Sequence, residues 1–211
     1  MLIELIRAKR QVCSRTKVGL LALAFAVGVG LGITAASAQI LVSIGNSRAR
    51  SCYLGAKNGF ASDDLIKVCS SSLEEENLSP KDRAATYDNR GILENSLGRL
   101  DQALASFNSA IAIDASLGDA YVNRGTVLIR QKKYEAALAE IDKGIGLGVA
   151  FMHIGYYNRA VAEELLGRYR DAYYDYMHTL EIEPNFTAAR ERLKFFRVIH
   201  PGEMANDPPA N

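Results

Sequence analysis

Three copies of one short element set the frame of this chain: Asn89-Arg90-Gly91, Asn123-Arg124-Gly125 and Asn158-Arg159-Ala160, spaced 34 and then 35 residues apart. In each copy a tyrosine stands two residues before the Asn (Tyr87, Tyr121, Tyr156). Ala103, Ala137 and Ala172 follow the small residue by twelve positions, and Phe107, Ile141 and Tyr176 come four residues later. A unit of this length cannot bury its apolar face alone and has to stack on copies of itself. The large and small residues recur at helical spacing, so each unit reads as a pair of helices. The predicted class is all-α, a solenoid of helical hairpins.

Three full units follow from this register: residues 84–117, 118–152 and 153–186. Each holds two helices of about 14 residues, joined by a short turn at Gly98-Arg99, Lys132-Lys133 and Gly167-Arg168. Gly91, Gly125 and Ala160 are set to face Ala103, Ala137 and Ala172, because helices approach closely only where side chains are small. Pro184 stops the last helix of the third unit, whereas the second ends in Gly144-Ile145-Gly146-Leu147-Gly148. That run lacks the G-x-G-x-x-G spacing of a nucleotide site, follows no strand, and is predicted to be a loop.

Residues 52–80 read as a partial unit. Leu65, Ile66, Val68, Cys69 and Leu73 form a helical stripe after an N-cap at Ser62, with the first helix short or distorted around Gly55 and Gly59. The acidic run Glu74-Glu75-Glu76 is expected to be a solvated face. A flexible arm is predicted over 39–51, a capping helix over 187–200 with apolar Ala188, Ala189, Leu193, Phe196 and Val198, and a disordered tail over 201–211.

The first 38 residues have a different character. Five basic groups (Arg7, Lys9, Arg10, Arg15, Lys17) stand against one acid, Glu4, and an apolar segment runs to about Ile33. Ala36-Ser37-Ala38 then matches a cleavage site, so residues 1–38 are predicted to be a signal peptide cut between Ala38 and Gln39. The destination is periplasmic or secreted. An uncleaved N-terminal helix anchoring the chain to a membrane is the alternative. Cys13 falls in this segment, which leaves Cys52 and Cys69. Their separation of 17 excludes a C-x-x-C redox motif. A single disulfide is the simplest reading in an oxidising compartment, with a metal site requiring other ligands as the alternative.

Charge and motif content narrow the function. Removing the first 38 residues takes the 25 basic and 24 acidic groups to 20 and 23, a balance near −3 that gives no basis for nucleic-acid binding. His153, His178 and His200 lie in no metal-ligand pattern, and no nucleophile elbow or P-loop occurs. No catalytic residue, no metal and no small-molecule cofactor is expected. The chain reads as non-enzymatic.

The frame resembles the tetratricopeptide repeat, and Tyr87-Asp88-Asn89-Arg90-Gly91 and Tyr121-Val122-Asn123-Arg124-Gly125 are similar to repeat starts in bacterial exported proteins of that family. The resemblance implies a protein-interaction scaffold of the cell envelope, binding a peptide or protein segment in a concave groove lined by the first helix of each repeat. Carried over position by position, that groove takes Asp88, Asn89 and Ile92 from the first repeat. Val122, Asn123, Thr126 and Arg130 come from the second, and Tyr157, Asn158 and Val161 from the third. The three Asn side chains are placed either to meet a ligand's backbone amides or to bond a neighbouring helix. The Lys and Arg positions that clamp a C-terminal carboxylate elsewhere in the family hold Asp88, Ile92, Val122 and Thr126 here, so an apolar or mixed peptide is the implied ligand. A structural or self-associating role is the alternative.

Overall fold

A computed structural model of the chain describes residues 5–8 and 47–199. The rest of the predicted signal segment, residues 39–46 of the predicted arm and the predicted tail lie outside the described residues. Within them, nine helices run in pairs: α1 (Arg48–Lys57) with α2 (Asp63–Glu75), α3 (Pro80–Ser96) with α4 (Leu100–Ile113), α5 (Gly118–Arg130) with α6 (Tyr134–Leu147) and α7 (Met152–Leu165) with α8 (Tyr169–Ile182), followed by α9 (Thr187–Leu193). Each helix packs on its partner and on the next pair, the arrangement of a helical solenoid. Among the described residues no helix is long and apolar enough to cross a membrane.

Within each pair the crossing is set by size. A Cβ built on Gly91 would lie 2.6 Å from the Phe107 ring, and one on Gly125 would lie 2.5 Å from Ile141. The fully buried Phe107, Ile141 and Tyr176 thus fill the space that the small residue opens, beside Ala103, Ala137 and Ala172, which have no exposed surface. The turns use one conformation: Gly98, Lys132 and Gly167 all have positive φ, at 78°, 61° and 76°. Lysine has a Cβ to strain there, and only at the second turn does the chain accept it.

The arginines of the repeated motif join the pairs. Each lies over the ring of the tyrosine three residues earlier, with Cζ 5.0–5.3 Å from the centroid. Each also bridges the second helix of its own pair and that of the pair before. Arg90 Nε donates to Ser106 and its Nη1 to Ser70. Arg124 donates to Glu140 at 3.0 Å and to Asn108 at 2.7 Å. Arg159 forks onto both oxygens of Asp175 at 2.7 and 2.9 Å and reaches Asp142 at 2.9 Å.

Four features depart from the sequence reading. Helix α1 begins at Arg48, so the last four residues of the predicted arm are helical; at 10 residues it is short, as expected, but regular. Its cause is capping: Ser47 accepts from the Arg50 amide, and Glu76 accepts from the amides of Arg48 and Ala49. The acidic run is therefore engaged, with Glu75 also paired to Arg48. Burial works to raise the Glu76 carboxyl, but hydrogen bonds from Ser72, Arg48 and Ala49 outweigh it and hold it below the ordinary range.

The glycine run is helical up to Leu147, and only Gly148, at φ 88°, breaks the helix. A Cβ on Gly118 would lie 2.6 Å from the Gly144 carbonyl, so the start of α5 and the end of α6 touch backbone to backbone.

The capping helix stops at Leu193, and Phe196–Ile199 form a strand, β2. Adjacent aromatic and β-branched residues in this stretch favour extended backbone. β2 pairs antiparallel with β1 (Leu5–Ala8), which falls inside the predicted signal segment. Glu164 ties α9 to the fourth pair: it accepts from Tyr176 Oη at 2.8 Å and from Arg192 Nε at 3.1 Å.

The cysteines lie in the core shared by the first two pairs. Cys52 and Cys69, both fully buried, place their sulfur atoms 2.07 Å apart among Ile92, Leu93 and Phe107.

Two outcomes follow for thermal unfolding. Arg159→Ala leaves Asp175, only 8% exposed in its side chain, without its charge partner and should cost roughly 2–3 kcal/mol. Lys132→Gly relieves left-handed strain on an exposed turn and should add about 1 kcal/mol. A melting temperature unchanged in either variant contradicts the account given for it.

Candidate interaction face of the first helices

Helices α3, α5 and α7 lie side by side, and the ten positions assigned to a groove converge on the face they share. The face is closed. Asp88, Asn89, Ile92, Val122, Asn123, Thr126, Tyr157, Asn158 and Val161 are all buried, none more than 3% exposed, and only Arg130 is open to solvent. The expectation of an open row of contact residues is corrected accordingly. Tyr157, the aromatic candidate for ligand contact, packs between Tyr176 and Phe186, with centroids 5.7 and 5.1 Å away.

The reason is that the polar side chains of this face bond one another from helix to helix. Asn123 Nδ2 donates to Asp88 Oδ1 and Oδ2 at 3.0 and 3.2 Å. Asn158 Nδ2 donates to Thr126 Oγ1 at 3.1 Å, and Thr126 in turn donates to the Val122 carbonyl. Arg130 donates to both the carbonyl and the side-chain oxygen of Asn95, which removes it as a free anchor for a carboxylate. Asn123 and Asn158 thus spend donors on the neighbouring first helix. The ladder is incomplete at two points: Asn89 Nδ2 and Asn158 Oδ1 are buried and meet no partner among the described residues. Such atoms cost about 1–3 kcal/mol each when left unpaired.

Two buried carboxyls shape the electrostatics here: Asp88, one of the ten assigned positions, and Asp119. Burial pushes Asp88 well above the ordinary carboxylate range, opposed by the Asn123 hydrogen bond and reinforced by the negative charge of Asp119. Burial likewise raises Asp119 to about 6, although the Ala150 amide donates to its oxygens at 3.2 and 3.3 Å. For Asp119, an acid on the inward side of the first helical turn was the available signal, since a short polar group there has to receive an amide or stay protonated. Among the described residues no group of three or more His, Cys, Asp or Glu side chains is placed to hold a metal ion.

The pH dependence has a definite sign. Asp119 titrates near 6 when folded and near 3.8 when unfolded, so the folded state binds more protons between these values. Its penalty is fully present above pH 6 and is relieved as the pH falls toward 3.8. Asp119→Asn keeps an acceptor for the Ala150 amide without the charge. The variant should be more stable than the parent at pH 7, with the gap in melting temperature closing toward pH 4. A gap that is flat with pH removes Asp119 from this role.

Comparison with known proteins places this geometry. Residues 84–117 and 118–147 match the sequence model of the tetratricopeptide repeat. The serine/threonine-protein phosphatase 5 of Rattus norvegicus is 31% identical over 85 residues, 40% of this chain but 17% of that protein. Among solved structures, the MamA protein is similar over 67% of this chain and 74% of its own, with a TM-score of 0.53 and 20% identity. The first repeat domain of Spaghetti (RPAP3), solved with the HSP90 peptide SRMEEVD, covers 53% of this chain and 89% of its own, with a TM-score of 0.50 and 24% identity. Helix pairing, repeat register and these likenesses agree: residues 84–147 are tetratricopeptide repeats, and the chain is similar in fold to solved proteins built from helical repeats.

Proposed function

We propose that this chain is a non-enzymatic protein-interaction scaffold of the bacterial cell envelope, with the face of α3, α5 and α7 holding a peptide or protein segment. The observation that carries the reading is the incomplete polar ladder. Among the described residues, Asn89 holds a donor and Asn158 an acceptor without partners beneath the closed surface of this face, so a bound segment reaches them only when the face opens. An extended backbone offers a carbonyl and an amide of the complementary kind. The peptide seen on the solved RPAP3 repeat domain supports a peptide as the ligand class. The paired state of Arg130 and the apolar character of Ile92, Val122 and Val161 favour a mixed or apolar segment over a free carboxylate.

Delivery to the periplasm or outside the cell belongs to the same proposal, with residues 1–38 removed and Cys52–Cys69 oxidised there. The basic, apolar and Ala36-Ser37-Ala38 pattern supports it, and so does a cysteine pair placed at bonding distance. One observation favours retention of the N terminus instead: Leu5–Ala8 are paired with β2. A structural role at the membrane is the matching second function.

Two measurements test the proposal. A photo-cross-linking residue at position 130, beside the ladder, should capture a partner in an envelope extract, whereas one at the exposed Phe60 should not. Asn89→Ala and Asn158→Ala should then weaken that partner's binding about tenfold, about 1.4 kcal/mol, without lowering the melting temperature by more than a few degrees. Adducts confined to position 60 move the interface elsewhere. The intact mass of the protein from its host should begin at Gln39 and fall short of the free-thiol value by the hydrogens lost in a disulfide. A full-length mass with alkylatable thiols selects the retained form.

A further inference from the structure

The β1–β2 ladder joins segments almost at opposite ends of the sequence, with Leu5 opposite Ile199, Ile6 opposite Val198, Arg7 opposite Arg197 and Ala8 opposite Phe196. It rests on the last repeat. β1 lies along α8, and Phe196 of β2 is buried against Tyr169, Tyr173 and Tyr176 of that helix, with ring centroids 6.5, 6.1 and 5.8 Å away. A four-residue, two-stranded ladder is marginal alone. Its seat comes from the aromatic face of α8, which exists only once the fourth pair has folded. Without β1, β2 presents a bare row of backbone donors and acceptors along this seat.

We infer that the C-terminal strand is a docking site for the chain's own N terminus, so that the uncut folded chain holds residues 5–8 on its last repeat. The occupant is specific because the register is set across a distance in sequence that no local turn imposes. The device has a direct consequence for delivery, which rests on the export reading above. A chain that folds first ties the basic end of its targeting segment into a ladder, and a chain that is cut first loses the strand that covers β2. Folding and processing therefore compete for the same residues.

Amide hydrogen exchange on the full 1–211 chain, compared with 39–211, tests the docking directly. Phe196–Ile199 should be protected at least tenfold more in the full chain, while α3 to α8 exchange alike in both. The variant Ile6→Pro/Arg7→Pro keeps the full length. In an antiparallel ladder successive residues alternate between bonding inward and outward, so one of the two prolines must delete a ladder donor, and protection of 196–199 should fall to that of 39–211. Equal exchange of 196–199 in the full and shortened chains overturns the inference, and so does full protection in the double-proline variant. Neither result depends on where the chain is delivered, so the export reading stands or falls separately on the intact mass.

Discussion

Three arginines hold the solenoid in register. Each guanidinium is half-buried, lies over a tyrosine of its own helix and bonds to two further helices, one in its own pair and one in the pair before. A side chain with a planar fork of donors suits this position better than a lysine, because it meets two acceptors in different directions without losing its stacking. Stacking of helix pairs also rests on apolar contact, which is indifferent to small slips. The arginine bridges make the relative placement of successive pairs specific. The bridge strengthens along the chain, from serine acceptors at Arg90, through one carboxylate at Arg124, to two at Arg159.

That gradient parallels how the two ends are finished. At the N-terminal end, where the bridge uses neutral hydroxyls, the Cys52 and Cys69 sulfurs lie at bonding distance in the core of the partial pair and Glu75 and Glu76 fasten the first helix. At the C-terminal end, Arg192 and Tyr176 converge on Glu164. In between, the joint of Gly118 with Gly144 brings two helix ends into backbone contact, and the extra residue that follows is accommodated by Gly148.

The periodic part of the fold was legible because each repeat reports the same spacing three times. Gly91 against Phe107 and Gly125 against Ile141 follow from residue size alone. What the sequence did not disclose were contacts whose two partners lie in different repeats. Nothing local to Asn123 says that its amide meets Asp88, and nothing local to Arg130 says that it meets Asn95. Those pairings close a face that a position-by-position transfer leaves open. The cap misled for a related reason: Phe195 to Ile199 carry a pattern compatible with a helix, and the pairing segment that makes them a strand lies far away in the sequence.

The unlike ends give the array one weaker side. The first pair places the Cys52 and Cys69 sulfurs at bonding distance in its core and fastens α1 through the exposed Arg48–Glu75 pair. The last repeat is held by Arg192 on Glu164, both largely shielded from solvent. Salt screens exposed ion pairs and leaves shielded ones largely intact. A repeat array opens from its ends because terminal units have one neighbour each. Reductants and high salt therefore both act at α1, and α9 is the end that holds.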